Sequence, residues 1–224
     1  MKTLTERIDQ VIAIPQARVA RRVDAVRRDN PTASPAELVR ILERRYVNRI
    51  SATGGGVGAA AAIPGVGTGT AVVLSSGQVM GFLYESMSHV LAVADVYGIP
   101  TEDLERRRTL LLSSLLGEEG AQAVQAQLGL GSVYWARQLL TKVPIGTVRS
   151  INRQLRKRAA KMSATTGIGA LFGRLVPFGI GAAVGVAASR AMGKEVVAGV
   201  RAAFGPAPAT YARALDAAPD SPST

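Results

Sequence analysis

Two side chains one helical turn apart are the first in this chain that could do chemistry. Glu85 and His89 fall at i and i+4 in a stretch of helical periodicity, which puts a carboxylate and an imidazole on one face. Such a pair can ligate a metal ion or move a proton. The chain, however, contains a single histidine and no cysteine, so a metal centre would need two further carboxylates, and only Asp95 is near in sequence. A histidine satisfied in the core or paired with Glu85 is the expected outcome. No catalytic residue, no metal and no cofactor are therefore expected, and the chain is read as non-enzymatic.

Gly54-x-Gly56-x-x-Ala59 has dinucleotide-fingerprint spacing, but that motif needs a strand before it and an acid about 20 residues on. Here a charged helical segment precedes it, and the next acid is Glu85. No Gly-Lys-Ser/Thr follows any glycine loop either.

Charge is the stronger signal. The chain carries a net +11, and the excess is confined to residues 120–194, which hold 11 Lys/Arg and no acid. Within that segment Arg149, Arg153, Arg156, Lys157, Arg158 and Lys161 follow one another on a helix with a narrow apolar edge of Ile151, Leu155 and Met162. A solvated face is one reading of these six cations. Contact with anionic lipid headgroups is the functional one, each Lys or Arg contributing about 1 kcal/mol near such a surface. Nucleic acid is the less favoured anion: no aromatics interleave the charges to stack bases, and no helix-turn-helix or zinc pattern is present.

The elements that carry these groups follow from composition and spacing. Hydrophobic residues make up 47% of the chain and aromatics only 4%, so any core is built from Ala, Val, Leu, Ile and Gly. The absence of cysteine fits a reducing compartment. An acid at Glu6 and no apolar run after it argue against a secretory leader, so the N-terminus is expected in the cytoplasm.

Residues 4–28 read as a basic helix broken at Pro15. Ser34-Pro35-Ala36-Glu37 is a capping box that starts the next helix. That helix runs into residues 50–84, a stretch without one charged side chain, and should break at Pro64. Val72–Tyr97 is expected to be one long central helix closing on Gly98, followed by a Leu-rich helix opening at Thr101-Glu102-Asp103 and stopping at Gly117. A short helix over 119–128 leads to Tyr134-Trp135, where core packing is expected over an interfacial anchor. The basic helix follows Pro144, and a second apolar stretch spans 167–189, interrupted only by Arg174 and Pro177.

Gly65, Gly69, Gly77 and Gly81 recur at multiples of four residues, as do Gly181 and Gly185, with Gly193 extending that row. Such ridges let helices approach closely. The expected fold is all-α: a single helical domain with two Gly/Ala-rich apolar helices packed closely, a long central helix and a basic amphipathic helix. Its organisation is a basic segment over 1–33, the helical domain over 34–204, and a Pro/Ala/Ser-rich tail over 205–224 that is ordered only in part. A bilayer span needs about 20 apolar residues, and the greasier run from Ala71 to Tyr84 covers only about 21 Å of helix. Equal cation counts on either side also oppose a single crossing. A helical core or shallow hairpin is preferred to a span.

Several landmarks together resemble the EcsC protein family, whose founding members are encoded beside an ABC transporter. They are the small-residue run into Ile63-Pro64-Gly65, the helix closing on Ala94-Asp95-Val96-Tyr97-Gly98, and Val176-Pro177-Phe178-Gly179-Ile180-Gly181 through Arg190 to Ala203-Phe204. The resemblance covers roughly residues 35–204. It implies an all-helical bacterial protein, associated with membrane, with no established activity and no catalytic residues to carry over. The functional expectation is a membrane-associated or lipid-binding protein, peripheral on the cytoplasmic face, with anionic lipids as partners and a membrane transporter as the further partner the resemblance suggests. The alternatives are an integral component with Gly-zipper spans or a re-entrant hairpin, and a basic nucleic-acid-binding protein.

Overall fold

A computed structural model describes residues 4–61, 68–129, 134–165 and 181–215. Among them the regular structure is all helix, without strands, and it packs as a single helical domain. The helices are α1 (Leu4–Ile12), α2 (Gln16–Arg28), α3 (Pro35–Ala61), α4 (Thr68–Val96), α5 (Leu104–Leu115), α6 (Gly117–Leu128), α7 (Ala136–Thr141), α8 (Ile145–Thr165) and α9 (Gly181–Phe204).

The breaks fall where the local chemistry puts them. Pro15 lies between α1 and α2 in an extended conformation. The Ser34 hydroxyl accepts from the Glu37 amide, while the Glu37 carboxylate accepts from the Ser34 amide and hydroxyl, so the capping box closes from both sides. These bonds, the backbone one first, hold the Glu37 carboxyl below its usual range. α4 ends in a left-handed Gly98, with Ile99 donating back to Ala94. Asp103 caps α5 by accepting from the Arg106 amide. Gly117 is left-handed and makes a corner, so α5 gives way almost at once to α6. Ile63-Pro64-Gly65 and residues 176–180, quoted above for the family resemblance, lie outside the described residues.

α3 and α4 form an antiparallel pair: Tyr46 Oη lies 2.8 Å from Ser86 Oγ, and Arg49 pairs with Glu85 at 2.8 Å. α9 lies along α3 in the most extensive helix contact of the fold. It too is antiparallel to α3, because Gly193 faces Tyr46, Val47 and Ile50 while Arg201 forks onto Glu43. α9 therefore packs chiefly on α3, and among the described residues it touches α4, the helix that carries Gly69, Gly77 and Gly81, only slightly. α5 packs among α6, α8 and α9, and its Leu110, Leu111 and Leu112 are fully buried.

The two N-terminal helices belong to the same core, to which they give Ile8, Val11, Ile12, Val19, Val23 and Val26. Buried Arg107 ties them down by donating to the carbonyls of Ile12 and Ile14. The C-terminal segment is equally attached as far as it is described. Tyr211 donates to the Ala33 carbonyl and lies under the Arg27 guanidinium, and Arg213 bridges Asp24 and Asp95. So residues 205–215 form a strap across the bundle; 216–224 lie outside the described residues.

The glycine ridge divides. Gly77 and Gly81 are exposed, and a methyl group added at either would meet nothing within 4 Å. That part of the ridge therefore faces open space rather than a partner helix. Close approach occurs elsewhere, at Gly199, where an added Cβ would stand 2.9 Å from Ser114 Cα and 3.1 Å from the Gly117 carbonyl. Gly65 lies outside the described residues, as do the surroundings of Gly69, Gly181 and Gly185. A four-residue spacing sets which residues share a face; it does not say which face is covered.

Candidate functional site

α8 sits against α5 through one side only. Val148, Ile151, Asn152, Leu155 and Ala159 recur at three- and four-residue steps and are all buried. Asn152 fixes the rotation of the helix. Its amide donates to the carbonyl and the carboxylate of Glu105, and its oxygen accepts from the Thr109 hydroxyl at 2.8 Å. With that side clamped, Arg149, Arg153, Arg156, Lys157, Arg158 and Lys161 are all exposed. The six extend over about 18 Å of helix at 1.5 Å per residue.

Among the described residues, no carboxylate reaches Arg149, Arg153, Arg156, Lys157 or Arg158 within ion-pair distance. The reason is compositional: residues 120–194 contain no acid, and the α5 carboxylate nearest to α8, Glu105, is already taken by Asn152 and Arg108. The arrangement places positive charge along one exposed side of α8.

Glu85 and His89 do share a turn, but they face different surroundings. Glu85 pairs with Arg49 and Arg22, joining α2, α3 and α4. His89 is buried and stacked on Tyr46, with ring centroids 4.7 Å apart and planes 8° from parallel. Burial first, then the positive charges of Arg201 and Arg49, lower its pKa to about 3, so it is neutral at physiological pH. The same burial raises the pKa of Tyr46, whose hydroxyl pairs with Ser86. Among the described residues no three His, Asp or Glu side chains come together as ligands. Gly54 and Gly56 lie within α3, without the strand-turn-helix that a nucleotide fingerprint needs.

Two features had no signal in the sequence. One is an open cleft of about 390 Å³ between α3, α9 and the start of the strap, lined by Val39, Glu43, Tyr97, Tyr134, Arg201 and Phe204. Its residues come from four separate segments, and the Glu43–Arg201 pair at its edge spans 158 positions of chain. Burial, followed by Glu43 and Tyr134, raises the Tyr97 hydroxyl to about 12. The aromatic pair separates here: Trp135 is fully buried, whereas Tyr134 is 47% exposed beside Gly205. The other is the Arg213 bridge, built from a residue in a segment of loop-like composition.

Among the described residues no helix is long and apolar enough to cross a membrane. Comparison of the chain with protein-family models, with curated proteins and with solved structures finds no match.

Proposed function

We propose that this chain is a non-enzymatic protein that attaches peripherally to anionic membrane, with the outer face of α8 as its contact surface. The observation that carries the reading is that Arg149, Arg153, Arg156, Lys157 and Arg158 are exposed on α8 with no carboxylate within ion-pair distance among the described residues, while the opposite side of the helix is clamped to α5. A helix held this way keeps its charges on one side, where they can reach several headgroups at once. At about 1 kcal/mol per cation near such a surface, five or six suffice for reversible attachment. The resemblance to the EcsC family supports the same reading and suggests the cytoplasmic face, beside a transporter, as its location.

Vesicle flotation tests it. The protein should rise with phosphatidylcholine vesicles only as phosphatidylglycerol is added, and should be released by salt as screening shortens. Replacing Arg149, Arg153, Arg156, Lys157 and Arg158 by glutamine should abolish flotation while leaving the fold intact. Protein that stays at the bottom of the gradient at low salt and the highest anionic content refutes the reading. Salt-steep binding to duplex DNA in that case would assign the same face to nucleic acid instead.

A further inference from the structure

The cleft beside the start of the strap is built from described residues throughout, on α3, the ends of α4 and α9, and Tyr134. Its floor is apolar, formed by Val39, Val93, Val200 and Phe204. Val93, Val200 and Phe204 are buried, so the floor belongs to the packed core rather than to a loose edge. Tyr97 meets Phe204 edge to face, with ring centroids 5.3 Å apart, and donates to the Gly205 carbonyl. Gly205 is left-handed, and its bare α-carbon receives the Tyr134 ring, which forms one wall. A volume of about 390 Å³ lies within the range of small-molecule sites. It accommodates about a dozen non-hydrogen atoms at roughly 30 Å³ each.

The polar side chains of the cleft decide what kind of ligand fits. Glu43 accepts from Arg201 through both carboxylate oxygens, at 2.7 and 2.6 Å, and the Tyr97 hydroxyl is spent on Gly205. What remains donates. Arg40 is exposed on α3, with no carboxylate within ion-pair distance among the described residues. Glu37, one turn before it, is held by the amide and hydroxyl of Ser34. Arg201 uses only Nε and Nη2 on Glu43, and its side chain is 63% exposed, which leaves the Nη1 donors for a ligand. The half-exposed Tyr134 hydroxyl can turn its proton the same way.

We infer that this cleft binds a small amphiphilic anion, its carboxylate or phosphate head on Arg40 and Arg201 and its apolar body, roughly ten carbons long, over Val39, Val93 and Phe204. Guanidinium groups make their strongest hydrogen bonds to such oxyanions. A cationic head would meet two guanidinium groups, and an uncharged head would leave the charge-assisted bonds unmade. The site uses no residue of α8 and needs no bilayer, so it stands apart from the membrane reading.

Sodium decanoate, kept below its micelle concentration, is the probe, titrated calorimetrically into the full chain without vesicles. Binding should saturate at one site, decyl phosphate should compete for it, and 1-decanol and decyltrimethylammonium should bind at least about tenfold more weakly. Arg40→Gln should weaken decanoate by about tenfold, the loss of a hydrogen bond to a charged group. Val39→Phe should fill the cleft and abolish binding. The α8 variant with five glutamines should bind decanoate like the parent.

Failure of the parent to bind saturably would overturn the inference. So would equal affinity for the three decyl compounds, binding that neither cleft variant changes, or binding lost in the α8 variant. Urea midpoints establish that each variant is folded, and Arg40→Gln, at an exposed position, keeps the test readable should Val39→Phe lose stability. Flotation of Val39→Phe with phosphatidylcholine–phosphatidylglycerol vesicles then names the source of the ligand. Flotation retained beside lost decanoate binding assigns a free amphiphile, and joint loss assigns an acyl chain of the lipid; both uphold the site.

Discussion

Alanine at four glycines should give opposite signs that the sequence alone does not distinguish. At Gly199 a Cβ would stand 2.9 Å from Ser114 Cα, 3.0 Å from the Ser114 carbonyl and 3.1 Å from the Gly117 carbonyl. All three are backbone atoms of the α5–α6 corner, so no side chain can swing aside and α9 must move. Such overpacking costs about 1–3 kcal/mol, against a helix-propensity gain of about 1 kcal/mol for Gly→Ala. With three backbone contacts the cost lies at the upper end, and the net loss for Gly199→Ala is about 1–2 kcal/mol.

Gly77 and Gly81 offer the added methyl nothing within 4 Å, so Gly77→Ala and Gly81→Ala should keep most of the propensity gain, up to about 1 kcal/mol each. Gly193 is the intermediate case. Its nearest neighbours are Val47 Cγ2 at 3.7 Å, then Ile50 Cγ2 and Tyr46 Cε1 at 3.8 Å, ordinary contact distances, so Gly193→Ala should also stabilise. Urea unfolding followed through Trp135, the only tryptophan and a fully buried one, reads all four. The midpoints should move at constant m. A Gly199→Ala protein as stable as the parent refutes the bare-backbone contact between α9 and the α5–α6 corner. Loss of stability at Gly77 or Gly81 shows that something covers that face.

Two further outcomes follow from buried ionisable groups. His89 titrates near 3 in the folded protein and near 6.5 when unfolded, so between those values only the unfolded chain takes up the proton. Its contribution is complete above pH 6.5 and falls as pH drops, by about 1.4 kcal/mol per unit. His89→Phe, which keeps a ring against Tyr46, should show a shallower loss of urea stability between pH 6.5 and 4; equal slopes would discount the buried neutral imidazole. Arg213→Met leaves the buried Asp24 carboxylate without its guanidinium and should cost about 3 kcal/mol. Adding Asp24→Asn should recover part of that loss, and additive losses in the double variant would show that the two residues do not act as a pair.

Much of this protein was determined by short-range information. Pro15, the Ser34–Glu37 box, Gly98, Asp103 and Gly129 each impose a local backbone solution, and the helices begin or end beside them. The basic face of α8 was equally legible, because its cations and its apolar edge are separated by helical period alone. Pairing between distant segments has no such signature. Nothing near Gly77 or Gly199 in sequence says that the first faces open space and the second faces the backbone of Ser114. Arg213 meets Asp24 across 189 positions of chain, and Arg201 meets Glu43 across 158. Those contacts exist because α9 and the strap fold back over α2, α3 and α4. The same antiparallel packing brought Arg49, Glu85 and Arg190 to about one level.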